Sequence, residues 1–389
     1  MNIQNVMFSL IRSEICGEKI NISKDDLPNN LLENLYLLSD EHDMAHIIAS
    51  ALSSAGLLDN DEVSQNFNNK LILAVYFDAQ REYTLKQISS ILQNAKIPYI
   101  TLKGAVISAY YPHSWLRTSC DIDILVHNSD TNNAIEHLCK AGFVRISDKS
   151  THDYNLLSPN RIHVELHYTL TQDDEVSNAD DLLKCVWESA NPADEHSYLY
   201  KIEPEMFILY HLAHMARHLM HGGCGIRPFV DLWLIENNIS YDTKKLNDML
   251  IKTNMIKFYS AANELSKVWL ENAHHTEHTK LLEKFILDGG TYGTTQNAAQ
   301  MSAAKGIGKT KTLLNLIFLP RKNLEVMYPN LKAHKSLYPL YQIKRWFRFF
   351  DKNKRNKVAH LTFVRKNVSD EDENSMRELL KFLGLSGNP

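Results

Sequence analysis

Leu102-Lys103-Gly104, Arg117 and the run Asp121-Ile122-Asp123-Ile124-Leu125-Val126 carry the decisive pattern of this chain. Ile122, Ile124, Leu125 and Val126 mark the run as a buried strand, and side chains alternate along a strand, so Asp121 and Asp123 project from one face. Two like charges side by side next to a core are costly unless something positive neutralises them. The usual solution is a hard divalent cation bound through oxygen, most often Mg²⁺. Gly104 lets backbone approach a ligand closely, and Lys103 and Arg117 supply cations for phosphate oxygens. Taken alone, an Asp-x-Asp also fits two incidental aspartates at a solvated strand end.

A third carboxylate stands in His163-Val164-Glu165-Leu166-His167, which alternates in the same way. Asp121, Asp123 and Glu165 together are what a two-metal phosphoryl site requires, with the aspartates shared between the metals. Glu165 then completes the nucleophile-side metal or accepts the hydroxyl proton. His163 and His167 share its face and either orient substrate or are hydrogen-bonded structural residues.

The series Leu102-Lys103-Gly104, Tyr111-Pro112, Arg117 and Asp121-Ile122-Asp123 resembles that of an uncharacterised bacterial nucleotidyltransferase family. That family falls in the superfamily typified by DNA polymerase beta and kanamycin nucleotidyltransferase. The resemblance runs from near Leu71 to near Phe350, although Gly104-Ala105 and a longer spacer replace the superfamily's Gly-Ser or Gly-Gly. It implies transfer of an NMP group from an NTP, ATP first, to an acceptor hydroxyl with release of pyrophosphate, and Mg²⁺ or Mn²⁺ as cofactor. The acceptor is a small molecule, a polysaccharide precursor or a protein. It implies phosphate contacts from Lys103, Gly104 and Arg117, and a third acidic strand position followed by His, matched by Glu165 and His167. It also implies a His-rich helix followed by Arg and Asp that face substrate, matched by His214, His218, Arg227 and Asp231. Two alternatives remain: a toxin-like or RNA-modifying enzyme acting on tRNA, and a non-catalytic nucleotide-binding module.

His211, His214, His218 and His221 recur at helical spacing on one face. A zinc site is the sharper interpretation, but no Glu follows the first His as in zinc proteases, so structural or substrate-facing roles are expected. Ala303 to Thr310 meets only a relaxed P-loop pattern without a preceding strand, and is expected to be a flexible basic loop. Thirteen lysines and arginines between Lys309 and Lys357, opposed by Glu325 and Asp351, end among the aromatics Trp346, Phe347, Phe349 and Phe350. Nucleic acid or an anionic membrane surface would suit such a stretch, as would an amphipathic helix packed on the body.

The periodicities predict an α+β protein, with a small mixed sheet flanked by N-terminal helices and a larger C-terminal helical region. Expected units are residues 1–95 (helical), 96–170 (sheet core), 171–368 (helical, with helices at 204–221, 227–236, 242–253 and 256–271 and the basic segment) and 369–389, a loosely attached tail with a short apolar helix at 376–383. Residues 288–302, rich in Gly, Thr and Asn, are expected to form a long loop. No stretch approaches the roughly 20 apolar residues of a membrane span. The N-terminus lacks the pattern of a secretory leader, and five scattered cysteines without a CxxC pair argue against a disulfide framework. A cytoplasmic protein is therefore expected, and the net charge of −4 excludes no partner class.

Overall fold

The computed structural model describes residues 2–146, 152–171, 178–291, 293–305, 318–332, 334–347, 364 and 367–386. Four helices come first: α1 (Ile3–Cys16), α2 (Asn29–Glu41), α3 (Ala45–Ser54) and the 33-residue α4 (Glu62–Asn94). Asp61 starts α4 by accepting the Ser64 amide. Next come β1 (Tyr99–Thr101), the short α5 (Gly104–Ile107), β2 (Asp121–Val126) and α6 (Thr131–Lys140). Strands β3 (Val144–Arg145), β4 (Asp153–Leu157) and β5 (His163–His167) follow. After α7 (Ala179–Leu183), β6 (Ala190–Pro192) and β7 (Leu199–Ile202), the chain is helical again. Helices α8 (Pro204–Met220), α9 (Arg227–Asn238), α10 (Thr243–Lys252) and α11 (Ile256–Glu271) match the expected positions closely.

The α+β architecture is as expected, with one mixed sheet in the order β3-β4-β5-β2-β1-β7-β6. Strand β2 is parallel to β5 and antiparallel to β1, and β4 is antiparallel to β5. Alternation sorts the residues between two cores. Ile122, Ile124, Val126, Val164 and Leu166 point to one face, where they pack with Ile88 and Leu92 of α4 and Leu138 of α6. On the other face, Ile100, Leu102 and Leu125 join the larger core, shared with α8. Asp121, Asp123, Glu165 and His167 lie on this second face, where the apolar layer stops.

Three expectations change. β6 and β7 extend the sheet beyond β1, because β7 pairs parallel to it. The stretch expected to be a loop contains the end of α12 (Glu277–Gly289) and the start of α13 (Thr295–Ala304). Thr294 caps α13, and the Asn297 amide donates to the Phe285 carbonyl at 3.0 Å, so residues that read as turn formers serve as caps and buried clamps. The tail helix begins earlier than expected, spanning Asp370–Leu383 with a Ser369–Asp372 capping box, and is docked rather than loosely attached. Its Met376, Leu379, Leu380 and Leu383 are buried in the main core against α11, α12 and α13. Leu380→Ala is accordingly expected to cost about 2–5 kcal/mol. Denaturant unfolding measures this, and a loss under about 0.5 kcal/mol would mean the helix is not docked. Residues 306–317 and 348–363, and with them most of the P-loop-like stretch and part of the basic one, lie outside the described residues. Among the described residues no helix is long and apolar enough to cross a membrane.

Candidate active site

Strands β2 and β5 pair in the register Asp121↔His163, Asp123↔Glu165 and Leu125↔His167. Residues paired across parallel strands project from the same face, so Asp123 and Glu165 become neighbours although 42 positions apart in sequence. Ligand-type atoms of Asp123, Glu165 and His167 all lie within 4.8 Å of one another. His167 Nε2 donates to Asp123 Oδ1 at 2.8 Å and stands 3.5 Å from Glu165 Oε2. Lys103 Nζ is 3.5 Å from the same Asp123 oxygen. Asp121 stands one pleat away on that face, outside this close group, and its carboxylate accepts from Ser119 Oγ at 2.7 Å.

Burial is the largest single influence on each of these groups, and in each the charged neighbours together outweigh it. Asp123 is only 5% exposed, which raises its pKa, yet the Lys103 charge and the His167 hydrogen bond outweigh burial and hold it below the usual carboxylate range. Burial likewise opposes the charged form of His167, but its bonds to Asp123 and Glu165 push its pKa up to about 9. Lys103 is also raised, the neighbouring Asp123 charge overcoming burial. At neutral pH one ionised aspartate is thus matched by two cations. Three carboxylates on one face give the oxygen-rich donor set a hard divalent cation takes, and once deprotonated His167 would add a nitrogen that suits Mn²⁺.

The Lys103-Gly104 turn is strained and supported. Lys103 has φ +34° and ψ −103°, a backbone conformation that side chains disfavour. Gly104 has no Cβ because one would meet Arg117 Nη1 at 2.9 Å. Lys103→Gly is therefore expected to be about 1 kcal/mol more stable than Lys103→Ala, although both lose the ammonium group. Equal unfolding midpoints for the two variants would contradict strain at this position.

Arg117 is buried, and its Nε and Nη2 donate to the two oxygens of Asp231 at 2.9 and 2.8 Å. Tyr111 Oη donates to the same carboxylate at 2.7 Å. Arg227 Nη1 donates to the Thr118 carbonyl and to Asp43 Oδ2, each at 2.8 Å, and His46 Nε2 donates to the Leu116 carbonyl. Tyr111, Arg117, Arg227 and Asp231 therefore clamp the loop between the Lys-Gly turn and β2. Tyr111, Arg117 and Asp231 bond one another, and Arg227 bonds the loop backbone at Thr118.

Of the four histidines on and just after α8, His211 donates to the Pro228 carbonyl at 2.9 Å and His221 Nδ1 to the Arg217 carbonyl at 2.7 Å. His214 and His218 face each other, Nε2 to Nε2 at 3.0 Å, so at most one proton lies between them. Burial first, then the Lys103 charge, lowers both pKa values. Among the described residues the four do not gather as a metal-binding group. Sequence reasoning missed Ser119, two residues before Asp121, although strand parity would have indicated it. It also missed Tyr210, whose ring centre is 5.9 Å from Lys103 Nζ, and the group His152, Asp153 and His167. Tyr210 lies one helical turn before His214, the available signal.

The model of a family described as uncharacterised nucleotidyltransferase matches residues 29–271, well over half of the chain. The protein belongs to that family. Membership makes it a transferase and implies an NTP donor and a divalent metal. Comparison with curated proteins finds no match.

Proposed function

We propose that the protein moves an NMP group from an NTP, ATP first, to an acceptor hydroxyl and releases pyrophosphate. The pairing of Asp123 with Glu165 on parallel strands, with Lys103 in reach of the same carboxylate, carries this reading. Asp121, Asp123 and Glu165 would hold Mg²⁺. Bound there, the metal would offset triphosphate charge and acidify the attacking hydroxyl. Lys103 supplies a cation to the phosphate oxygens from a turn whose geometry is set before substrate arrives. Glu165, its side chain 26% exposed, is the carboxylate through which the acceptor proton can leave. The acceptor oxygen bonds the α-phosphorus as the bond to the bridging oxygen breaks. Because Asp231 occupies two of its nitrogens, Arg117 acts on phosphate indirectly, by fixing the turn. Free cysteines fit a reducing compartment, and we place the reaction in the cytoplasm.

The test is incubation of native protein and Asp121→Asn/Asp123→Asn with each labelled NTP, Mg²⁺ and cell extract. A labelled product made only by native protein is expected. Label transfer that persists in the double variant would refute the site.

A further inference from the structure

A cavity of about 330 Å³ lies between α3, α4 and the starts of β2 and β5, lined by Thr118, Ser119 and Cys120 on one side and Arg161 and Ile162 on another. That volume is within the range of small-molecule sites. We infer that this cavity seats the acceptor, and that the acceptor has an apolar body and one anionic group. The inference rests on the transferase reading and gives it a substrate class.

Position is the first argument. Ser119 lines the cavity and also donates to Asp121 Oδ1 at 2.7 Å, so a molecule seated there is one side chain from the metal-binding face. Charge is the second. Three aspartates line the cavity, and each is paired: Asp40 with Lys70, Asp43 with Arg227 and Asp78 with Arg81. Arg161 is left as the lining cation without an ion-pair partner among the described residues. Its backbone is held at φ +66° in the turn joining β4 to β5. The turn is pinned to α4, with Asn160 Oδ1 accepting from Thr84 at 2.9 Å and Asn160 Nδ2 donating to Gln80 Oε1 at 2.9 Å. A buttressed turn that puts an arginine without an ion-pair partner in the cavity wall is suited to an anion.

The apolar wall is the third argument. Leu73, Ala74 and Phe77 of α4 line the cavity, and Leu73 and Phe77 are 47% and 49% exposed. Tyr76 and Ile72, 56% and 64% exposed, continue this surface along α4 outside the cavity. A contiguous exposed apolar patch beside a site marks a binding surface for an apolar group. With its anion at Arg161 and its body on Leu73 and Phe77, the acceptor would present its hydroxyl toward Ser119 and Asp121.

The probe is 2-naphthyl phosphate, titrated calorimetrically into the full chain. Native protein is expected to bind it, and inorganic phosphate at least about tenfold more weakly for want of an apolar body. Arg161→Gln is expected to weaken probe binding at least about tenfold, and Ala74→Trp, which fills the cavity, to abolish it. In the labelled-NTP assay both variants should raise the half-saturating amount of acceptor at least about tenfold, with a shift below about twofold for NTP. Should Ala74→Trp fail to fold, Arg161→Gln decides alone, since its side chain is exposed. Equal probe binding by native protein and Arg161→Gln, or no binding to native protein, overturns the inference. Probe binding with the expected variant losses but no labelled product in native protein supports the cavity and sinks the transferase reading instead.

Discussion

Asp123→Asn is expected to lower nucleotidyl transfer by on the order of a thousandfold, the scale seen when one preorganised electrostatic group leaves an active site. Asp123 is the residue that Lys103, Glu165 and His167 all approach. An amide retains the shape and one acceptor oxygen but carries no charge to hold a cation. The substitution also removes the counter-charge that raises His167 to about 9, so the imidazole should titrate at lower pH in the variant. Single-turnover transfer and an NMR titration of His167 measure the two effects separately. A variant with native transfer rate would remove Asp123 from the chemistry. One with lost transfer but an unmoved His167 would contradict the hydrogen bond between them.

Asp231→Asn is expected to be the most destabilising polar substitution in the chain, at about 3–5 kcal/mol, because it leaves the Arg117 guanidinium buried without its partner. Both residues are under 10% exposed, and Tyr111 would lose its acceptor charge as well. Calorimetry should show a fall of roughly 5–10 °C in Tm. Asp231→Leu with Arg117→Met should recover much of the stability, since a buried pair is often no better than apolar residues of similar size. The restored fold should still transfer poorly, because Gly104 would no longer be packed against the Arg117 guanidinium. The pair also sets an acid limit. Burial raises the pKa of Asp231, but Arg117 outweighs it and holds the folded value below the ordinary one. The stability from this pair is therefore present above the unfolded aspartate value of about 3.9 and is lost as pH falls below it. An acid-unfolding midpoint unchanged in Asp231→Asn would argue against this contribution.

Local pattern was enough for much of the fold. The apolar alternation of Asp121–Val126 and His163–His167 placed both strands and assigned Asp121, Asp123 and Glu165 to one side of each. Helices α4, α8 and α11 were legible from their helical spacing, Pro204 and the flanking Gly residues. β6 and β7 were not, since Ala190–Pro192 and Leu199–Ile202 are too short to show a period; β7 gains its form from pairing with β1, and β6 from pairing with β7. The helix Asp370–Leu383 had an apolar stripe, but no local signal could name the groove between α11, α12 and α13 that buries it.

At the site the division is the same. Residue types and parity determined which carboxylates share a face, because alternation is a property of one strand's backbone. Only the tertiary structure set the register that puts Glu165 beside Asp123, and it alone paired Arg117 with Asp231, 114 positions later. Register and partner choice follow from which groups can be desolvated together, and a buried guanidinium takes the carboxylate that packing delivers to it.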